Sequence, residues 1–258
     1  MFFRFRLRTL VAATVLPLLA GCGTIEGLDR VVDSATGAAV DRMAPESMSG
    51  GAPPPEAMHG YTMGLFQAVF YQGGYDVVRE SFEPGEYVQW EASGIERGNS
   101  FEKALLKRQD DGSEWWRVTT RSEDGTLTIE ALFAPPDDEG DRRVRRMRVQ
   151  YPGEEPQEVP VSEQDSDKWV LHARKTLTEE SYQGLKVGVE AIRVPAGSFT
   201  TDHLRTGHPG RAGTVQWWIS EEVPGGIVRY KWEHEDNHRT LSLEEFGSDA
   251  GGSRLGAF

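Results

Sequence analysis

The sequence predicts a mainly β protein: a single curled antiparallel sheet, or half-barrel, with one N-terminal helix packed in or near its concave face. Three observations predict it. From Glu86 onward, apolar and polar residues alternate with period two through a dozen short segments, the pattern of half-buried strands. Short polar turn sequences separate these segments, as in antiparallel meanders and unlike β-α-β units. An aromatic helical pattern precedes the first strand. A sheet of so many strands cannot stay flat, so it curls or splits in two, and a β-sandwich remains the alternative.

Each element has its own justification. Tyr61, Leu65, Phe66, Val69 and Phe70 recur at helical spacing within Glu56 to Gln72, and Gly73-Gly74 can end that helix. Val88, Trp90 and Ala92 alternate with Tyr87, Gln89 and Glu91, and Val228, Tyr230 and Trp232 alternate with Arg229, Lys231 and Glu233. A first set of strands is predicted at 86–94, 100–109, 113–121, 126–134, 143–151 and 157–161. A second set follows at 168–173, 186–194, 198–205, 214–220, 227–234 and 239–245. Asp110-Asp111-Gly112, Glu123-Asp124-Gly125 and Pro224-Gly225-Gly226 supply turns. Residues 57–246 thus form the predicted β domain, and the Gly/Ser-rich residues 247–258 read as a flexible tail.

The N-terminus carries an address. Arg4, Arg6 and Arg8 precede an apolar run from Thr9 to Ala20 that is too short to span a bilayer, the layout of a secretory signal. It closes on Leu19-Ala20-Gly21-Cys22, and Cys22 is the chain's only cysteine. This run resembles the lipobox of bacterial lipoproteins. The resemblance implies cleavage after residue 21, thioether-linked diacylglycerol on Cys22, and a membrane-anchored protein of the cell envelope. Gly23 is not the aspartate associated with inner-membrane retention, so the implied location is the outer membrane, facing the periplasm. Residues 22–56 read as a lipidated tether. Ile25, Leu28, Val32, Ala35 and Ala39 have helical spacing, but Gly27 and Gly37 interrupt it, and Ser49-Gly50-Gly51 and Pro53-Pro54-Pro55 form a linker.

Composition narrows the function. Residues 1–21 hold three arginines and no acid, so the chain from Cys22 keeps 25 of the 28 basic residues against all 41 acids, a formal charge of −16. That charge argues against nucleic acid as a partner and against electrostatic attachment to an anionic membrane. With Cys22 acylated no thiol remains for a disulfide, zinc or nucleophilic chemistry. Seven Trp, seven Tyr and eleven Phe make the core bulky.

Candidate chemistry is sparse. Trp115-Trp116 and Trp217-Trp218 lie in strand patterns, so one ring of each pair points to each face. The favoured reading covers both faces; an uncovered ring would be a docking surface. His234 and His238 flank Glu235-Asp236-Asn237, and Asp202-His203 lies near His208, but a hairpin turn accounts for the first group and no metal motif is present. Acid pairs such as Glu179-Glu180, Glu221-Glu222 and Glu244-Glu245 read as solvated surface. The basic block Arg142 to Arg148 is expected to pair with Asp137, Asp138, Glu139 and Asp141. There is no GxSxG elbow, P-loop or dinucleotide fingerprint, and no cofactor is implied.

Two segments are more particular. Val194-Pro195-Ala196-Gly197-Ser198-Phe199 and Trp217-Trp218-Ile219-Ser220-Glu221-Glu222-Val223-Pro224-Gly225-Gly226 resemble a pattern in uncharacterised bacterial envelope proteins. Their fold is similar to the half-barrel of LolA/LolB-type lipoprotein carriers. The resemblance implies topology and carries no catalytic residue across. The resulting expectation is a non-enzymatic binding or scaffolding domain, whose partner is a hydrophobic ligand such as an acyl chain, or an envelope protein. Trp90, Trp116, Tyr230 and Trp232 are its expected lining. The alternative is a glycan-directed envelope hydrolase, with two carboxylates facing each other beside Trp116 or Trp218.

Overall fold

The period-two segments form the twelve strands of one antiparallel sheet. We describe them from a computed structural model, which defines residues 55–77, 81–162, 168–209 and 212–258; Cys22, the expected signal and all but the last two residues of the expected tether lie outside these residues. Helix α1 (Pro55–Phe70) comes first, followed by a 3-10 turn at Gln72–Gly74. Strands β1 (Tyr87–Gly94), β2 (Ser100–Arg108), β3 (Glu114–Ser122), β4 (Gly125–Phe133), β5 (Arg142–Gln150), β6 (Gln157–Val159) and β7 (Val170–Leu171) follow. A short helix α2 (Glu179–Leu185) then leads into β8 (Lys186–Val194), β9 (Gly197–Gly207), β10 (Thr214–Ile219), β11 (Ile227–His234) and β12 (Asn237–Gly247).

The strand order is β6-β5-β4-β3-β2-β1-β12-β11-β10-β9-β8, with β7 paired to β5. Two meanders, β1–β6 and β8–β12, are therefore fused where β1 pairs with β12. The sheet is continuous and not closed, which decides against a β-sandwich. Register is fixed by strand parity: Trp217 lies opposite Leu204 and Tyr230, and Trp116 opposite Ala131. All of these point to one face.

That face holds the main core. Val88, Trp90, Leu105, Trp116, Ile129, Phe133, Met147, Leu204, Trp217, Tyr230 and Leu243 join Met63, Phe66, Val69 and Phe70 of α1 in a single cluster. The Pro195-Ala196 turn of the β8–β9 hairpin curls back over β12: the Ala196 amide donates to Leu243 O at 3.1 Å, and Phe199 meets Phe246 at 5.9 Å. Pro195 and Gly197 thus make a hairpin turn that docks on a distant strand.

Helix α2 had no apolar period to announce it. Thr178 caps it by accepting from the Ser181 amide, Glu179 and Glu180 suit its N-terminal dipole, and Tyr182 is its buried residue.

The opposite, convex face is covered by the chain after β12. Where composition suggested a flexible tail, residues 248–258 lie on the sheet. Arg117, 0% exposed, donates to Ala250 O and Gly252 O and pairs with Glu102 at 2.7 Å. Arg254 bridges to Glu102 at 3.1 Å, Glu130 accepts from the Arg254 amide and the Ser253 hydroxyl, and Arg148 donates to Gly256 O and Ala257 O. Burial pushes the Glu102 carboxyl up, but Arg117 and Arg254 outweigh it and hold it below the ordinary range.

The basic block on β5 finds different partners from those expected. Arg142 pairs with Glu114, Arg145 with Asp111, and Arg146 and Arg148 with Glu158. The acids of the preceding loop are used locally: Asp137 accepts from the amides of Glu139 and Asp141, and Asp141 bonds His172. The arginine side chains reach across the sheet instead, to Glu158 on the neighbouring β6 and, past β4, to Glu114 on β3 and Asp111 in the turn before it.

Candidate functional site

The concave face is the site with the most distinctive chemistry, and it is occupied by α1. Phe66 makes an edge contact with Phe133 at 5.1 Å, and Phe70 makes one with Trp116 at 4.9 Å. The 3-10 turn then seats on the other half of the sheet: Trp217 Nε1 donates to Gln72 O at 2.9 Å. Gly73 has φ +79°, and a Cβ there would lie 2.7 Å from Trp217 Cζ2, so this position requires glycine.

The four expected lining residues all lie on this face, and all are buried. Trp90 Nε1 donates to Ile227 O at 3.0 Å, Trp116 Nε1 to Glu114 at 2.9 Å, and Trp232 Nε1 to Ala212 O at 3.2 Å. Tyr230 flanks Trp217, with ring centroids 6.5 Å apart. The three lining indoles thus have their polar edges satisfied and present ring faces to the core.

The paired tryptophans divide between the faces. Trp116 and Trp217 point inward. Trp115 lies under the tail, with Phe258 at 5.6 Å and the Arg148 guanidinium at 5.1 Å. Trp218 is covered by His203, stacked at 4.5 Å and 11°. His203 in turn bonds Glu190 and Gln216, and Glu190 accepts from Trp218 Nε1. All four indoles are buried, so neither pair leaves an exposed docking ring.

One residue on the concave face was missed. Lys103 lies between the inward residues Phe101 and Leu105, opposite Val88 and Val118. It is 5% exposed. Its ammonium meets three rings, Phe70 at 4.1 Å, Phe82 at 4.9 Å and Trp116 at 5.1 Å. Burial drives its pKa down to about 7, opposed by Asp76 and Glu114 and assisted by Arg142. The Pro224-Gly225-Gly226 turn supports this box, because Gly225 lies against Phe82, where a Cβ would come within 2.6 Å of the ring. The signal was present in the sequence: parity in Phe101-Glu102-Lys103-Ala104-Leu105 sets Lys103 on the apolar face.

Comparison with known proteins finds distant similarity in solved structures. The lipoprotein LppX of Mycobacterium tuberculosis is 10% identical, with a TM-score of 0.28 over 66% of this chain and 89% of its own. LprF of Mycobacterium bovis is 11% identical, with a TM-score of 0.35 over 80% of this chain and all of its own. No family model matches the sequence, and no curated protein matches it significantly.

Carboxylates beside the tryptophans are already engaged by neighbouring side chains. Glu114 is held by Arg108 and Arg142, and Glu190 by His203. Burial pushes the Glu114 carboxyl up, but Arg142 and its hydrogen bonds leave it below the ordinary range, as the partners of Glu190 do for that residue. Neither has the raised pKa that a general acid needs. No cluster of three or more metal-ligating side chains exists among the described residues.

Proposed function

We propose that this chain is a lipid-anchored, non-enzymatic envelope protein, tethered through Cys22, whose concave face binds an acyl chain when α1 moves aside. The carrying observation is that the apolar side chains of α1 occupy the concavity while no backbone ladder bond joins α1 to a strand among the described residues. The attachment is by side chains: Gln67 Nε2 donates to His172 O, and Arg174 donates to Gln67. Displacing α1 leaves every strand pairing intact.

Magnitudes place the two occupants in the same range. Burying Met63, Phe66, Val69 and Phe70 is worth about 6–12 kcal/mol in total. Against that, Gly60 and Gly64 each cost the helix about 1 kcal/mol relative to alanine. The Thr62 hydroxyl is buried without a hydrogen-bond partner, at about 1–3 kcal/mol. A sixteen-carbon chain gains about 0.8 kcal/mol per buried methylene, or about 12 kcal/mol, before the cost of association. The two occupants are comparable. Trp90, Trp116, Tyr230 and Trp232 would line the vacated face. A helix from a partner protein is the second reading, because the face already accommodates a helix.

Native mass spectrometry of the purified full-length Cys22→Ser chain, delipidated and then mixed with palmitate, tests the proposal. A one-to-one complex is expected. Its absence at saturating palmitate would overturn acyl binding.

A further inference from the structure

Resting on the acyl-binding reading, we infer that the ligand is an amphiphile with an anionic head, and that Lys103 receives this head. An occupant made only of hydrocarbon gains nothing from an amine in the middle of an apolar face. Burying an ammonium is costly, and replacing it by an apolar residue is ordinarily neutral or stabilising. The rings of Phe70, Phe82 and Trp116 offset part of that cost in the closed state. One of the three belongs to α1, so the departure that vacates the face also removes the Phe70 ring from the amine. Trp116 and Phe82 remain, since β3 and the segment before β1 do not belong to the moving element.

The acids around the amine are already partnered, which leaves the amine for an incoming anion. Arg142 stands near the amine but is paired with Glu114. Glu114, the acid closest in sequence to Trp116, is already held by Arg142 at 2.5 Å and Arg108 at 3.0 Å. Asp76, after the 3-10 turn, bonds Thr176 and is bridged to the 175–177 segment. A carboxylate or phosphate arriving at Lys103 would replace a ring contact with a charge-assisted hydrogen bond in a water-poor setting.

The test compares two probes of equal chain length, palmitate and hexadecanol, on the full-length Cys22→Ser chain and on its Lys103→Met and Lys103→Arg derivatives. Folding of each is checked by thermal unfolding. Palmitate is expected to bind the Lys103 protein about 10- to 100-fold more tightly than hexadecanol. That preference should fall to about one in Lys103→Met and persist in Lys103→Arg. Equal affinities for the two probes with Lys103 present would overturn the head-group inference and leave acyl binding standing. Failure of both probes to bind would overturn acyl binding itself, and this inference with it.

Discussion

The Lys103 ammonium lies 4.1 Å from the centroid of the Phe70 ring, so the last turn of α1 closes directly over a cation buried in the sheet. This contact joins the helix, the concave face and a group whose charge depends on pH.

The stability consequence has a definite sign. Lys103 has a folded pKa of about 7 against an ordinary 10.5. Below pH 7 both the folded and unfolded states carry its proton, and the full burial penalty applies. Between about pH 7 and 10.5 the unfolded state binds more protons, so this group's destabilisation fades as pH rises. Lys103→Met should therefore stabilise the protein by about 2–4 kcal/mol at pH 7, with the gain shrinking toward pH 10. Urea unfolding at both pH values checks this. An equal difference at both would contradict the pKa shift.

Gly73→Ala should loosen the seat of α1. The substitution meets φ +79° and a 2.7 Å approach to Trp217. The expected loss is about 1–3 kcal/mol, or a Tm lower by about 2–10 °C. An unchanged Tm would mean that the turn does not hold the helix against Trp217.

The convex face makes a separate prediction. Arg117→Met leaves Glu102 buried with the half-exposed Arg254 as its one charged partner beside the Thr119 hydroxyl, and strips Ala250 O and Gly252 O of their donor. Unfolding free energy should fall by about 3–5 kcal/mol, and a Glu102→Met, Arg117→Met double variant should recover part of it. A single-variant loss below about 1 kcal/mol would show that the tail and its ion pair contribute little.

For the anchor, Cys22→Ser should move the protein from the membrane to the soluble fraction without changing its thermal unfolding, since the acidic surface offers no second attachment. Retention at the membrane, or a lowered Tm, would contradict a purely tethering role.

The strands were legible because one face of each is apolar, so parity shows in pairs such as Trp115-Trp116, and glycine turns separate them. Helix α1 was legible from its aromatic spacing. Helix α2 was not: seven residues with Tyr182 as their only buried member carry no period, although Thr178 and the two glutamates after it form a start signal. The outward charges Glu102, Arg117, Glu130 and Arg148 look like solvated surface in sequence. Their partner is chain more than a hundred residues away, which no local pattern reveals. The arginine block on β5 illustrates the same limit, because its partners are set by cross-strand register. Lys103 differs from both, since its inward position follows from parity alone; what parity leaves out is the aromatic box, which α1 and Phe82 bring from other parts of the chain.

Hydrogen exchange across residues 55–74, on the purified Cys22→Ser chain with and without palmitate, tests most directly whether α1 is a displaceable occupant of the concave face. The expected result is that amides of α1 lose protection when palmitate is bound while those of β1 to β4 keep theirs. Protection of α1 that stays the same or increases with palmitate bound would contradict it.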